Sequence, residues 1–227
     1  MIKIWHISDT HGRHDSLEVP QEVDLVIFSG DCSNSNDSAI NVNQVKSFID
    51  WFTELPIREK IFVAGNHDVS IERKLIEPSD LLSRDIVYLE NDSTVIGGLK
   101  IWGSPYTPCF GHNWSWNMAR NKLNRVWGLI PDDVDVIITH GPPKGILDLS
   151  YDESSRLEYC GCSSLKKRIF KLNPKLCCFG HIHNNRECMN SGLKILPNID
   201  TIFSNGSVIS DDGEKVSNGN LVSIMGK

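Results

Sequence analysis

The chain opens Ile2-Lys3-Ile4-Trp5-His6-Ile7-Ser8-Asp9-Thr10-His11-Gly12-Arg13, and this stretch decides the fold. A strand-sized apolar run stops abruptly in small polar residues that include a carboxylate and an imidazole. The pattern recurs in Leu25–Phe28 before Ser29-Gly30-Asp31, and in residues 60–64 before Gly65-Asn66-His67-Asp68. It recurs again in residues 134–138 before Thr139-His140-Gly141-Pro142-Pro143, and in Leu176–Phe179 before Gly180-His181-Ile182-His183. In α/β sheets, ligands gather in the crevice beyond the carboxyl ends of strands. Five such loops are therefore expected to converge, although they span most of the chain.

Between these runs the periodicity changes. Val42, Val45, Phe48, Ile49 and Phe52 recur at helical spacing and Pro56 stops them, which predicts an amphipathic helix over residues 40–55 covering one sheet face. A second helix is expected over Ser163–Leu172, with Leu165, Ile169 and Leu172 inward and Lys166, Lys167, Arg168 and Lys171 on a solvated face. Strands are expected at residues 3–8, 24–29, 60–64, 86–90, 94–96, 100–103 and 134–139, then at 176–179, 193–196, 201–204 and 221–225. Residues 210–220 read as an exposed loop or hairpin. Strands alternating with helices make a layered α/β protein, and without a long linker or repeat residues 1–227 are expected to form a single domain.

Composition sets outer bounds. At 227 residues a domain buries roughly 70–75% of its unfolded surface. With 40% hydrophobic and 23% charged residues, disordered and fibrous classes are excluded. No apolar run approaches the roughly 18 residues of a membrane span, and the N-terminus lacks a basic-then-apolar signal pattern. Seven cysteines, with Cys177 beside Cys178 and Cys160 two before Cys162, form no disulfide framework or zinc ribbon, so a cytoplasmic location and packed thiols are expected. A net charge of −6 argues against general nucleic-acid binding, which depends on clustered Lys and Arg.

Asp9 and His11 sit two apart, as do His181 and His183, so each pair projects from one side of an extended stretch and can grip a metal. Carboxylate, amide and imidazole donors without thiolate suit Mn²⁺, Fe or Zn²⁺. Gly30 and Gly65 fit tight turns beside these donors.

The five clusters, in this order, resemble the signature of the calcineurin-like metallophosphoesterase superfamily. Ser8-Asp9-Thr10-His11-Gly12-Arg13, Gly103-Ser104-Pro105-Tyr106-Thr107-Pro108 and His140-Gly141-Pro142-Pro143 resemble its MPPED, or fetal-brain-type, branch. The resemblance implies central β-sheets in a β-sandwich flanked by helices. It also implies two divalent metal ions, Mn²⁺ foremost and Fe, Zn or Ni as alternatives. Asp9, His11 and His183 would hold one ion, Asn66, His140 and His181 the other, and Asp31 would bridge them. A bridging hydroxide would attack phosphorus, while His67 protonates the leaving oxygen and Asp68 orients its ring.

The implied activity is phosphodiester hydrolysis of cyclic nucleotides or other small diesters; a phosphomonoesterase, or a catalytically weak phosphate sensor, is the alternative. A Ser/Thr protein phosphatase is disfavoured, because Asp31 continues as Cys32-Ser33-Asn34 and the third motif ends in Asp68. Arg13 and His14, directly after the first loop, are candidate contacts to a substrate phosphate. Phe110, His112, Trp114 and Trp116 either wall a substrate pocket or fill a core. Cys32, beside Asp31, is an oxidation-sensitive position if exposed and a packed thiol otherwise.

Overall fold

In the computed structural model, which describes residues 1–111, 114–152 and 154–226, period-two alternation divides each strand between two apolar layers. Along Ile2–Ile7, Ile4 faces one layer while Trp5 and Ile7 face the other. The first sheet has the order Asn220–Ile224, Ile2–Ile7, Leu25–Phe28, Glu59–Phe62, Val87–Tyr88. Its first pair is antiparallel and the rest are parallel. The second sheet has the order Gly192–Leu196, Ile199–Asn205, Leu176–Phe179, Val136–Thr139, Leu99–Ser104, Asp92–Ile96, parallel within and antiparallel at both outer pairs.

The sheets pack face to face through Ile4, Leu25, Ile27 and Ile61 on one side and Ile101, Val136, Ile138 and Leu176 on the other. This is the expected sandwich. The outer face of the first sheet, with Val26, Phe28 and Phe62, is covered by Val45, Phe48, Ile49 and Phe52 of helix Ser38–Glu54. That helix starts where Asp37 Oδ1 accepts from the amides of Ala39 and Ile40, both at 3.0 Å. On the opposite outer face, Ile137, Cys177, Phe179 and Phe203 are covered by Leu165 and Ile169 of helix Ser163–Leu172, with Leu123, Val126 and Trp127 beside them. Each such side chain contributes about 1.5–3 kcal/mol on burial.

His6 interrupts the apolar layer between the sheets. Its Nδ1 lies 2.7 Å from Ser204 Oγ in the second sheet and its Nε2 lies 2.9 Å from Ser29 Oγ beside the first, so the ring pins the two sheets together. Burial lowers its pKa to about 3.

Most strand bounds shift by one to two residues, and short strands at Thr107–Pro108, Asn117–Met118, Leu149–Tyr151 and Leu157–Tyr159 are additional. Two of the differences have local reasons. The strand expected at 94–96 extends to Asp92–Ile96, because beyond the tight Gly97-Gly98 hairpin, with φ of 58° and 77°, Asp92 and Ser93 still pair with Gly103 and Trp102 of Leu99–Ser104. The strand expected at 86–90 shortens to Val87–Tyr88, which pairs only with Ile61 and Phe62. Short helices at Val69–Glu72, Pro78–Leu82 and Leu123–Trp127 are additions to the sequence reading. No helix among the described residues is long and apolar enough to cross a membrane. Because Ile2–Ile7, Leu25–Phe28 and Glu59–Phe62 run parallel, as do Val136–Thr139 and Leu176–Phe179, the motif loops emerge from carboxyl ends on shared sheet edges.

Candidate metal centre

The loops are laced together through their backbones before any side chain acts. Asp9 N donates to Gly30 O at 2.8 Å, His11 N to Asp31 O at 3.1 Å, and Gly180 N to His140 O at 2.9 Å. Asp9, His11, Asp31 and His181 all have positive φ, at 55°, 44°, 61° and 70°. None is glycine, so each carries backbone strain of about 1–3 kcal/mol, of the kind concentrated at functional sites. Gly65 is required by contact: a Cβ there would meet Asp31 Oδ1 at 2.3 Å and His140 Cε1 at 2.7 Å.

Side chains from all five loops then meet. His183 Nε2 lies 3.3 Å from Asp9 Oδ1, His140 Nε2 lies 3.2 Å from Asp31 Oδ2, and His11 Nε2 lies 3.8 Å from the same Asp31 oxygen. His140 Nε2 is also 2.9 Å from Asn66 Oδ1, while its Nδ1 faces Ser29 O at 2.9 Å. The His140 and His181 rings are 4.9 Å apart. Donor atoms within 4.8 Å of one another form three groups: Asp9, His11 and His183; His11, Asp31 and His67; and Asp31, His140 and His181.

The electrostatics are those of a cation site. Burial alone would raise Asp9 and Asp31, yet the surrounding imidazoles hold Asp9 down at about 2 and Asp31 well below the usual carboxylate range. Burial lowers His181 to about 3 and His11 to about 4. His140 resists burial through Asp31 and rises to about 9. Both ring nitrogens of His11 are buried without a hydrogen-bond partner, a condition that costs about 1–3 kcal/mol unless something binds there. Buried carboxylates, unpartnered imidazole nitrogens and an amide oxygen fit divalent cations.

Other sequence candidates separate clearly. Asp68 does not orient His67. Its carboxylate is fully buried and accepts from the amides of Asp31 at 2.9 Å, Gly65 at 2.8 Å and Ser33 at 3.1 Å, and from Cys32 Sγ at 3.2 Å. The His67 ring instead places Nδ1 3.2 Å from Asn34 O. His14 is no substrate contact: the turn His14–Ser16 buries it against Phe48 and Trp51, with ring centroids 5.5 and 5.4 Å away. Arg13 stays exposed beside His11, His67 and His183, lining a cleft of about 390 Å³. Cys32 is the packed thiol of the two alternatives, and burial pushes its pKa well up.

The aromatic stretch divides. Trp116 joins the core, whereas Trp114 lies 4.3 Å from the His67 ring and Phe110 4.7 Å from the His181 ring. His112 lies outside the described residues. Two positions escaped the sequence reading. Asn41, fully buried on helix Ser38–Glu54, donates to His67 O at 2.7 Å and accepts from Ser70 N at 2.9 Å; a polar residue one turn before Val45 on the apolar stripe was its signal. Asp211 Oδ1 stands 3.6 Å from His183 Nδ1, and nothing in a polar loop marks it out.

Residues 2–185 match the family model for calcineurin-like phosphoesterases. The chain is 30% identical to metallophosphoesterase domain-containing protein 1 of Homo sapiens, an alignment covering 93% of this chain and 67% of that protein. It is 29% identical to a UPF0046 protein of Caenorhabditis elegans, over 84% of this chain and 67% of the relative. Among solved structures, phosphopantetheinyl hydrolase from Mycobacterium tuberculosis superposes with a TM-score of 0.55 at 15% identity, over 93% of this chain and 90% of that one, a likeness of fold. The chain thus belongs to the calcineurin-like phosphoesterase family, in the branch of the metallophosphoesterase domain-containing proteins, whose chemistry is metal-dependent phosphoester hydrolysis.

Proposed function

We propose that the protein is a dinuclear phosphodiesterase acting on small diesters, cyclic nucleotides among them. The observation that carries this reading is the position of Asp31. One of its oxygens stands 3.2 Å from His140 Nε2 and 3.8 Å from His11 Nε2, so a single carboxylate serves two donor groups. Asp9, His11 and His183 would hold one ion, Asn66, His140 and His181 the other, and Asp31 would be shared between them. When bound, two divalent cations supply the charge that polarises phosphoryl oxygens and acidifies water. The mixed oxygen and imidazole donor set accommodates Mn²⁺, Fe, Zn²⁺ or Ni²⁺; Mn²⁺ is the ion proposed.

The protein's own residues divide the remaining work. His67 holds its Nδ1 toward Asn34 O, which directs Nε2 outward to protonate the departing alkoxide. Asp68 keeps the loops of Asp31 and Gly65 in register, and Asn41 fixes the His67 carbonyl. Arg13 is placed to receive a substrate phosphate oxygen from the cleft it lines. Residues 1–227 act as one domain, a reading supported by strand Asn220–Ile224 closing the sheet beside Ile2–Ile7. A cytoplasmic setting accords with seven free thiols.

The test is hydrolysis of bis-p-nitrophenyl phosphate and p-nitrophenyl phosphate by chelator-stripped protein before and after Mn²⁺ addition. Mn²⁺-restored activity favouring the diester is expected. Preference for the monoester would replace the diesterase reading, and absence of turnover with every one of these metals would favour a phosphate sensor.

A further inference from the structure

Beyond His181 and His183 the surface sinks into a cavity of about 560 Å³. Its wall begins at the metal centre, where the Phe110 ring lies 4.7 Å from that of His181, and it includes Tyr151. Three carboxylates, Asp152, Glu158 and Asp211, line the same space. Arg120 is the only lysine or arginine lining it among the described residues, and its guanidinium already donates to Gly161 O and Cys160 O, both at 2.8 Å. A separate observation points the same way. Asn185 Oδ1, in the same wall, is buried and has no hydrogen-bond partner. Asp152 Oδ1 already accepts from the amides of Ser154 and Arg156, at 2.8 and 2.7 Å, and the Arg186 guanidinium covers one face of Tyr151 at 4.8 Å. The functions left over in the cavity are acceptors, Glu158 and Asn185 Oδ1 among them, beside the Phe110 ring.

We propose that this cavity receives a cationic amino group on the alcohol portion of the substrate, making the preferred substrate a zwitterionic phosphoester. This rests on the phosphoesterase reading of the adjoining centre. The phosphoryl anion belongs beside Asp31 and the cations it would share, and a second phosphate in the cavity would face three carboxylates. An ammonium group there donates charge-assisted hydrogen bonds to those carboxylates and gains from the face of Phe110. Opposite potentials side by side select for a substrate of matching polarity.

The test is calorimetric binding to the Mn²⁺-loaded protein of ω-aminoalkyl phosphates from two to six carbons, against alkyl phosphates and alkanediol bisphosphates of equal length. At one or more lengths the amine is expected to bind on the order of tenfold tighter than its alkyl counterpart, an advantage that shrinks with added salt. Glu158 is exposed on strand Leu157–Tyr159, and Glu158→Gln should reduce the advantage about threefold. It should leave alkyl phosphate binding and bis-p-nitrophenyl phosphate turnover unchanged. Equal affinities at every length, tighter binding of the bisphosphates, or an amine advantage untouched by Glu158→Gln would overturn the cavity assignment while leaving the phosphoesterase reading standing. Absence of both alkyl phosphate binding and turnover in the Mn²⁺-loaded wild type would overturn the phosphoesterase reading, and this inference with it.

Discussion

The indole of Trp114 rests against the imidazole of His67, with ring centroids 4.3 Å apart and planes inclined at 47°. His67 is thereby held on three sides: the Asn34 carbonyl at Nδ1, the near-perpendicular His11 ring at 4.6 Å, and the tilted Trp114 indole. In the proposed mechanism Nε2 is the nitrogen that serves the substrate. A clamp of this kind matters most when the leaving group needs a proton. Trp114→Ala should reduce turnover of cyclic AMP, whose leaving group is an alkoxide, by roughly 10-fold or more, and of bis-p-nitrophenyl phosphate much less. Trp114→Phe should restore most of the loss. Equal losses on both substrates would show that Trp114 does not act through His67.

His67→Ala carries the same logic to its source. Turnover of cyclic AMP should fall roughly 10²–10⁴-fold while the metal content of the purified protein is unchanged. Loss of one ion per chain would instead make His67 a ligand, a role its membership of the group with His11 and Asp31 makes worth measuring.

Asp68 is a structural carboxylate. Removing it as Asp68→Ala leaves the buried amides of Asp31, Gly65 and Ser33 without their acceptor. A stability loss of at least about 3 kcal/mol is expected in denaturant unfolding of the metal-free protein. His14→Ala, by contrast, should lower stability by about 1–3 kcal/mol through lost packing on Phe48 and Trp51 and leave kcat and KM alone. A raised KM in His14→Ala would return that residue to the substrate site.

His6 gives the fold an acid limb. It is buried between the sheets with its pKa lowered by burial from 6.5 to about 3, against a weaker upward pull from Asp9. The unfolded chain takes up this proton below pH 6.5 and the native chain only near 3, so the contribution is whole above pH 6.5 and declines as pH falls. Between pH 6.5 and 5 the wild type should lose about 2 kcal/mol more than His6→Gln, compared by urea unfolding. Parallel acid limbs for the two proteins would show that His6 carries no such cost.

The layers and the five loops were legible in the sequence because both rest on local signals: apolar period along the strands, and ligand-type residues placed directly after them. Helix Ser38–Glu54 was legible for the same reason, its apolar stripe being uninterrupted from Val45 to Phe52. What the sequence did not disclose depends on contacts between distant segments. Asp68 follows His67 in the chain, yet its carboxylate turns toward the backbone of residues 31–33, so adjacency suggested the wrong partner. His14 follows Arg13 but rotates into the core within the turn His14–Ser16. His6 finds its partners 23 and 198 residues away, and Asp211 meets His183 only because its loop folds back over the centre.

The central claim is that two ions share Asp31, and the most direct test is metal stoichiometry with electron paramagnetic resonance on Mn²⁺-reconstituted protein. Two Mn²⁺ per chain with the spectrum of a magnetically coupled pair are expected, with Asp31→Asn losing the coupling. A single ion per chain, or two ions with uncoupled spectra in the wild type, would contradict the account.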